Sequence, residues 1–382
     1  MIEIDVVEEL KTLIRMESTN PGAYETEIIS YIKQYCKSHR LKYELIGVEG
    51  RKNLIVYIAG KTDKIIVLNG HVDTKPVGVY KQWESNPLIP YEKDGYLYGL
   101  GASDMKGGLS SILSLLKMIT ENSLCPMYTL EFHFVVDEEN NSRYGTNYLL
   151  EQDSFKNKNY EMVIVCEPTE NNFVERSLGN RWVTINILGV KAHAGKYFLG
   201  KSAPLELVRI LNQLIEFTNS LKERDVDFPQ FPNINIGILY GGDHPGTVQG
   251  QASATIDIRV FDEKDKITII NYLDKLIAES TFKINYTDYA PQMISWGNKE
   301  NILEEYNSNY LEIKKVIQQT TLNTNKGLFF GGSDAGYYSD ISKNICIFGP
   351  GSLEYAHQPN EKILLSELHQ HYKALLRALV RI

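Results

Sequence analysis

Apolar residues fall along this chain in two rhythms, and the change between them divides it. Up to about residue 172, short unbroken apolar runs alternate with segments of helical period. Val6 to Met16 and Glu25 to Cys36 repeat their apolar positions every three or four residues. They predict two amphipathic helices, separated by the breaker Ser18-Thr-Asn-Pro-Gly. Asn53 to Ala59, Lys64 to Leu68, Leu130 to Val136 and Met162 to Cys166 predict short buried strands, and Met105 to Ile119 a helix. That alternation argues for an α/β sheet.

From Trp182 the pattern is different. Trp182-Val-Thr-Ile-Asn-Ile-Leu alternates apolar with polar residues, as a strand with one wet face does. Helices are predicted over Ser202 to Leu221 and Asp265 to Ala278, and strands over Ile234 to Tyr240, Ala252 to Val260 and Thr281 to Tyr286. The order is β-α-β-β-α-β, a ferredoxin-like unit able to close its own core. We therefore expect a two-domain α/β protein, with residues 178–288 inserted into a discontinuous mixed-sheet domain of 1–177 and 289–382. Ile302 to Thr321 and Leu364 to Val380 predict further helices, and Ile345-Cys-Ile-Phe a strand.

Composition narrows the classes. A chain of 382 residues exceeds the usual single core. Forty basic against 48 acidic residues give a net charge of −8, with no basic block for nucleic acid. No apolar run reaches membrane-spanning length, and the first residues lack the basic and apolar regions of a signal peptide. Cys36, Cys125, Cys166 and Cys346 are scattered, as thiols in a reducing cytoplasm would be.

The chemistry gathers where strands end. The run Ile65-Ile66-Val67-Leu68 leads into Gly70-His71-Val72-Asp73, and residues i and i+2 of a strand share a face. Asp73 is placed to fix the tautomer of a ligating His71. Alone, this reads first as a surface turn, because His-x-Asp is a weak motif. Tyr98-Gly-Leu-Gly-Ala-Ser-Asp104-Met-Lys-Gly-Gly108 is a glycine-rich turn without P-loop spacing. Asp104 there is a helix cap or a carboxylate bridging two cations about 3.5–4 Å apart. Asp137-Glu138-Glu139 ends another strand, where adjacent acids repel unless solvated or bound to cations. If Glu138 and Glu139 both serve a site, that strand must end or bend. Glu167 ends a fourth run, and His357 lies in a Pro/Gly-punctuated loop after Ile345–Phe348.

GHVD, GLGASDMKGG, DEE, CEPT, KAHAG and HQPNE, in that order over nearly the whole chain, resemble the M20 family of co-catalytic zinc aminoacylases, deacetylases and carboxypeptidases. That family includes acetylornithine deacetylase and succinyl-diaminopimelate desuccinylase. The resemblance implies that His71 and Glu167 hold one metal, Glu139 and His357 the other, and that Asp104 bridges them. It makes Asp73 the partner of His71 and Glu138 the general acid/base. Nitrogen and carboxylate donors without thiolate suit two Zn²⁺ per subunit, with Co²⁺ or Mn²⁺ able to substitute.

The inserted domain then becomes a lid and a homodimerisation domain. His193, in isolation a loop or core histidine, becomes an oxyanion donor supplied by a partner subunit. Arg259 becomes the clamp for a substrate carboxylate, and Thr247 stands where relatives often have Asn. Gly332, Ser333 and Asp334 would line the substrate pocket, without the Arg that several relatives carry after this Asp. The expected substrate is a small N-acyl-L-amino acid or short peptide, with N-acetylornithine-type deacetylation first. A desuccinylase, a dipeptidase or carboxypeptidase, a general aminoacylase and, remotely, a non-catalytic binder are the alternatives. His133, mid-strand, reads as packing. His39, His244, His369 and His371 lack matching partners, and at least one of the last two is expected to face water.

Overall fold

The computed structural model describes residues 2–222, 230–290, 292–297, 306–322 and 327–381. The chain divides into two compact units, Met1–Ser177 with Trp296–Ile382, and Leu178–Ser295.

The first unit opens with α1 (Val6–Arg15) and α2 (Thr26–Ser38). The strands β1 (Lys42–Val48), β2 (Arg51–Ile58) and β3 (Thr62–His71) follow, then β4 (Tyr91–Lys93), β5 (Tyr96–Tyr98) and the helix α3 (Gly107–Glu121). After β6 (Tyr128–Val135) come the short helices α4 (Thr146–Leu150) and α5 (Asp153–Lys156), and β7 (Met162–Val165). The second unit holds β8 (Gly179–Leu188), β9 (Ala192–His193), α6 (Ala203–Asn219), β10 (Asn233–Tyr240), β11 (Thr247–Val248), β12 (Gln251–Val260), α7 (Glu263–Ala278) and β13 (Lys283–Asp288). The return to the first unit adds α8 (Ser308–Thr321), β14 (Ile345–Ile347), β15 (Lys362–Leu364) and α9 (Leu365–Leu375).

A six-stranded mixed sheet of order β1-β2-β6-β3-β7-β14 organises the first unit. β6, β3, β7 and β14 run parallel, while β2 joins antiparallel to β6 and to β1. Parallel strands covered on both faces must be apolar throughout, and these are. Leu54, Ile66, Leu68, Phe132 and Ile164 face α2, α3, α8 and α9 in one core. Their alternates Ile55, Val67, Val163 and Val165 face Leu149, Phe155 and Tyr338 in another. Each fully buried side chain of this size contributes roughly 1.5–3 kcal/mol. The parallel register sends the C-terminal ends of β3, β6, β7 and β14 to one edge, which is where the polar residues cluster.

The second unit is an antiparallel sheet of order β10-β12-β8-β13 carrying α6 and α7, plus a separate two-stranded ladder of β9 and β11. It runs past the expected return at residue 289. The Asn180 N–H donates to the Met293 carbonyl at 3.0 Å, the Met293 N–H donates to Asn180 Oδ1 at 3.3 Å, and the Ser295 N–H donates to Glu263 at 2.7 Å, holding the chain to this unit. Of the expected helix from Ile302 to Thr321, Ser308–Thr321 is helical, started by an Asn307 side chain that accepts from the Tyr310 N–H; residues 302–305 lie outside the described residues. No helix among the described residues is long and apolar enough to cross a membrane.

Candidate metal centre

Each strand end delivers its side chain by a specific local device. At the end of β3, His71 Nδ1 lies 2.9 Å from the main-chain oxygen of Asp73 and 3.5 Å from its carboxylate. An Nδ1–H donated to that carbonyl leaves the Nε2 lone pair for a ligand. The Asp73 carboxylate does more elsewhere. It accepts the N–H groups of Glu138 and Glu139, each at 3.2 Å, and the Asn20 amide at 2.9 Å. It thus holds the loop after β6 as well as the imidazole.

β6 does end as two inward-facing neighbours require. Asp137 takes a left-handed conformation (φ 64°), and Glu138–Asn140 form one tight turn. Asp137 is fixed by Asn20 (2.9 Å), by the Tyr144 N–H (3.0 Å) and by Arg51 (2.8 Å), which also meets Glu25 at 2.6 Å. The turn bearing Asp104 is threaded on one carboxylate: Glu361 accepts the N–H groups of Gly101, Ser103 and Asp104 at 2.7–2.9 Å. Gly101 is required there, because its φ of 76° and the Thr74 methyl 2.5 Å from any added Cβ exclude a side chain. Gly108 lets α3 lie against β7, with the Cys166 carbonyl only 2.1 Å from where a Cβ would stand.

The result is two adjacent donor sets. One holds His71, Glu138 and Glu167, and the other Asp104, Glu139 and His357. Asp104 Oδ1 is 3.1 Å from His71 Nε2, and its Oδ2 is 3.2 Å from His357 Nε2. The two oxygens of one carboxylate therefore face two different imidazoles. Glu139 Oε2 is 3.1 Å from His357, and Glu167 Oε1 is 3.7 Å from His71. A tetrahedral ion with bonds of about 2.0–2.1 Å sets its ligand atoms about 3.3 Å apart. The donors and their spacing suit divalent cations, with the Asp104 carboxylate facing both imidazoles. Glu138 Oε2, 3.9 Å from His71 Nε2, stands furthest back.

The charges agree. Burial works against a charged His71, yet the Glu167 charge and the bond to Asp104 outweigh it and hold its pKa well above the usual value. Burial also pulls His357 down, and the bonds to Asp104 and Glu139 overcome it, lifting the group to about 11. Asp104 is disfavoured as an anion by burial, but its bonds to His357 and His71 hold it well below the ordinary carboxylate range. Burial raises Glu138 strongly, with the Glu167 charge adding to it. Glu167 is pushed up to about 7 by burial, against the pull of His71.

Other expected residues are placed differently. Asp334 is 1 % exposed, its oxygens taken by Ser142 (2.5 Å) and Thr146 (2.7 Å), and Ser333 is buried beside it. Asp334 therefore stands behind the turn that carries Glu138 and Glu139, with no oxygen turned to an open wall; Gly332 is half-buried. In the second unit, His193 lies exposed opposite Thr247 on the β9/β11 ladder. Arg259 pairs across the sheet with Asn180 and donates to Asp257 at 2.8 Å, at the other end of β12. From Gln251, beside the ladder, to Arg259 is about 27 Å of strand. His133 is buried between Glu131 (3.2 Å) and the Tyr338 hydroxyl (2.7 Å). His371 is buried against the Phe348 carbonyl, and His369 faces water.

Sequence reasoning missed three contributors. Asn20 sits in a segment read only as a helix breaker, and Arg51 on a strand has no motif around it. Lys75 donates its backbone N–H to Glu139 Oε1 at 3.1 Å and brings its ammonium 3.1 Å from Oε2. Its one signal was its place two residues after Asp73.

Residues 67–381 match the family described as peptidase family M20/M25/M40. The chain is 31% identical to an uncharacterized metallohydrolase of Methanocaldococcus jannaschii, over 96% of this chain and 97% of that protein. It is 29% identical to a succinyl-diaminopimelate desuccinylase of Rickettsia typhi, over 98% of each. Its fold is similar to that of an M20 family metallo-carboxypeptidase from Sulfolobus solfataricus, with a TM-score of 0.77 at 17% identity, covering 99% of this chain and 98% of that one.

Because His71 and His357 carry raised pKa values without metal, incoming ions must displace protons from them. Metal uptake is expected to release protons at neutral pH and to tighten as pH rises towards about 11, where metal-free His357 loses its proton. Calorimetry in buffers of different ionisation enthalpy checks this. An affinity independent of pH, with no proton released, would contradict the assigned ligands.

Proposed function

The chain belongs to peptidase family M20/M25/M40 and is a metal-dependent hydrolase of amide or peptide bonds, and on that footing we propose that it cleaves N-acyl-L-amino acids at a two-zinc centre. The observation that carries this reading is the Asp104 carboxylate, with one oxygen turned to each imidazole. In the proposal His71 and Glu167 hold one ion, Glu139 and His357 the other, and Asp104 both. A donor set without thiolate favours zinc, with cobalt or manganese able to take its place. When bound, the ions supply Lewis acidity to the acyl carbonyl and lower the pKa of water beside them.

The chain's own residues handle the proton. Glu138 accepts one proton from the attacking water. The water oxygen bonds to the carbonyl carbon, the C–N bond breaks, and Glu138 returns the proton to the leaving nitrogen. Burial beside Glu167 raises the proton affinity of Glu138, which suits a group that must take a proton and give it back. Asp73 fixes both the His71 tautomer and the Glu138–Glu139 turn. Asp334 supports that turn through Ser142 and Thr146, a role its burial favours over direct substrate contact.

His193 and Thr247 serve the oxyanion from a second copy in this reading, and Arg259 holds the substrate's carboxylate. Their separation within this unit supports it, since a small substrate spans far less than the length of β12 from Gln251 to Arg259. The edge strand β10 exposes Ile238, Leu239 and Tyr240, and α6 exposes Leu205 and Val208, a surface suited to an isologous homodimer through this domain. Among acyl groups the sequence favours acetyl, on an ornithine-type amine. A desuccinylase is the second reading, favoured by the Rickettsia relative. The four cysteines are all free thiols, which supports a cytoplasmic setting.

A panel of N-acetylornithine, N-succinyl-diaminopimelate and simple dipeptides, assayed with zinc- or cobalt-loaded and chelated protein, tests the class and the substrate. Chelator-sensitive turnover is expected, highest on an N-acyl amino acid; metal-loaded protein inert on every member would contradict the reading. Glu138→Gln should keep both metals and the fold while losing about 10²–10⁴-fold in kcat. Wild-type turnover in that variant would remove Glu138 from the mechanism. His193→Ala should lower kcat with metal content unchanged, whereas loss of metal would make it a ligand instead.

A further inference from the structure

One core of the first unit, lined by Ile55, Val67, Val163 and Val165, is crossed by a file of polar side chains. These are Glu131, His133, Tyr338, Asn69, Thr146, Asp334 and Ser142, each at most 2% exposed. They touch in that order. Glu131 Oε2 lies 3.2 Å from His133 Nε2, His133 Nδ1 lies 2.7 Å from the Tyr338 hydroxyl, and that hydroxyl lies 3.1 Å from Asn69 Nδ2. Asn69 Nδ2 also reaches Thr146 Oγ1 at 3.1 Å. Thr146 and Ser142 donate to the two Asp334 oxygens at 2.7 and 2.5 Å. Asn69 and His133 are register partners across β3 and β6, and Tyr338 and Asp334 share the short helical segment Asp334–Asp340.

Every bond in the file has a fixed direction. Lys158 gives Glu131 two bonds, at 2.7 and 2.9 Å, and Tyr160 gives it another at 3.1 Å. Burial works against the Glu131 charge, but the bonds to His133 and Lys158 outweigh it and bring the group down to about 2. A carboxylate only accepts, so His133 Nε2 carries the hydrogen. Burial lowers the His133 pKa against the pull of Glu131, so the imidazole is neutral and its Nδ1 accepts from the Tyr338 O–H. That hydroxyl has no hydrogen left to give, nor has Thr146, which donates to Asp334. Only an amide NH₂ can face both, and Asn69 supplies it. Apolar side chains of the same shape could replace such buried pairs at little cost in stability. The file ends, however, at the turn that carries Glu138 and Glu139. There the Asn141 N–H donates to the Glu138 carbonyl at 2.8 Å, and the Ser142 N–H to the Asp137 carbonyl at 2.7 Å.

We infer that His133 is a positioning residue for the reaction: its Nδ1 orients the Tyr338 hydroxyl, and the bonds through Asn69, Thr146 and Asp334 hold the Glu138 turn at Ser142. The inference rests on the amide-hydrolase reading above, in which Glu138 moves the proton. The bonds of His133 itself go to Glu131 and Tyr338, so it acts on the turn only through this file.

Two amide variants separate this role from one in stability alone. An asparagine carbonyl stands near the place of imidazole Nδ1, and a glutamine amide near that of Nε2. His133→Asn thus keeps an acceptor for Tyr338 and gives up Glu131, whereas His133→Gln keeps the Glu131 bond and gives up Tyr338. Each is assayed at saturating zinc, with metal content measured, on the N-acyl amino acid that wild type cleaves best. His133→Gln and Tyr338→Phe should lose about ten- to a hundredfold in kcat with KM unchanged, and His133→Asn should retain most of the wild-type kcat. A role in stability alone would rank the two amides the other way, because glutamine keeps the charge-assisted bond. His133→Gln equal to or better than His133→Asn overturns the inference. If a histidine variant fails to fold, Tyr338→Phe, which keeps the ring, decides, and an unchanged kcat there overturns the inference. Nitrogen NMR of histidine-labelled wild type should show His133 protonated at Nε2 and bare at Nδ1; the opposite tautomer overturns it. Zinc affinity, measured by competition with a chelator, asks the question without turnover, since Glu139 rides on the same turn. His133→Gln should bind zinc about ten- to a hundredfold more weakly than His133→Asn. That ranking supports the inference even if wild type cleaves no amide, which would instead overturn the amide-hydrolase reading; equal zinc affinity in the two variants overturns the inference.

Discussion

Mutual repulsion among buried carboxylates is the constraint on which this structure depends. Asp73, Asp104, Asp137, Glu138, Glu139, Glu167 and Asp334 are all less than a tenth exposed and share one edge of one sheet. Two such charges about 4 Å apart repel by about 4 kcal/mol at an effective dielectric of 20. Arg51 and Lys75 offset part of this, each through a direct ion pair. The remainder is balanced either by protonation, which the raised pKa values of Glu138 and Glu167 express, or by divalent ions between the donors. The apolar mixed sheet, with four parallel strands ending at the same level, makes such a concentration geometrically possible.

The acids divide the labour. Asp104, Glu139 and Glu167 turn oxygens towards imidazole nitrogens, and Glu138 stands beside them. Asp73, Asp137, Asp334 and Glu361 instead spend theirs on N–H and hydroxyl groups that fix the turns bearing the first set. Arg51, with Tyr24 and Tyr144 rings 4.6 and 5.7 Å away, anchors Asp137 and Glu25 at the back. Removing one of these supports would loosen a ligand without touching it, and losses of 10–100-fold in metal affinity are typical of such changes.

Much of this was legible in the chain. Apolar runs marked β3, β6 and β7 because strands buried on both faces have no polar alternation to hide. The His, Asp and Glu at their ends stood out because a parallel sheet collects its strand ends. The adjacent Glu138 and Glu139 even foretold that β6 must break, and the left-handed Asp137 is how it does so. The supports were not legible. Asn20 reaches Asp73 and Asp137 across more than fifty residues of sequence, and no local pattern encodes that pairing. β4, β5 and β15 have three residues each, too few to show a period, yet they form a sheet of their own. Asp334 was expected to line the pocket through the family resemblance alone, in a turn-like loop whose sequence carries no burial signal. Its carboxylate instead found two hydroxyls in the interior.

Anomalous diffraction at the zinc edge from crystals grown with zinc tests the central claim most directly. The account predicts two peaks about 3.5–4 Å apart, one between His71 and Glu167 and one between Glu139 and His357, with Asp104 bridging them. A single ion, or ions held away from Asp104, would contradict it.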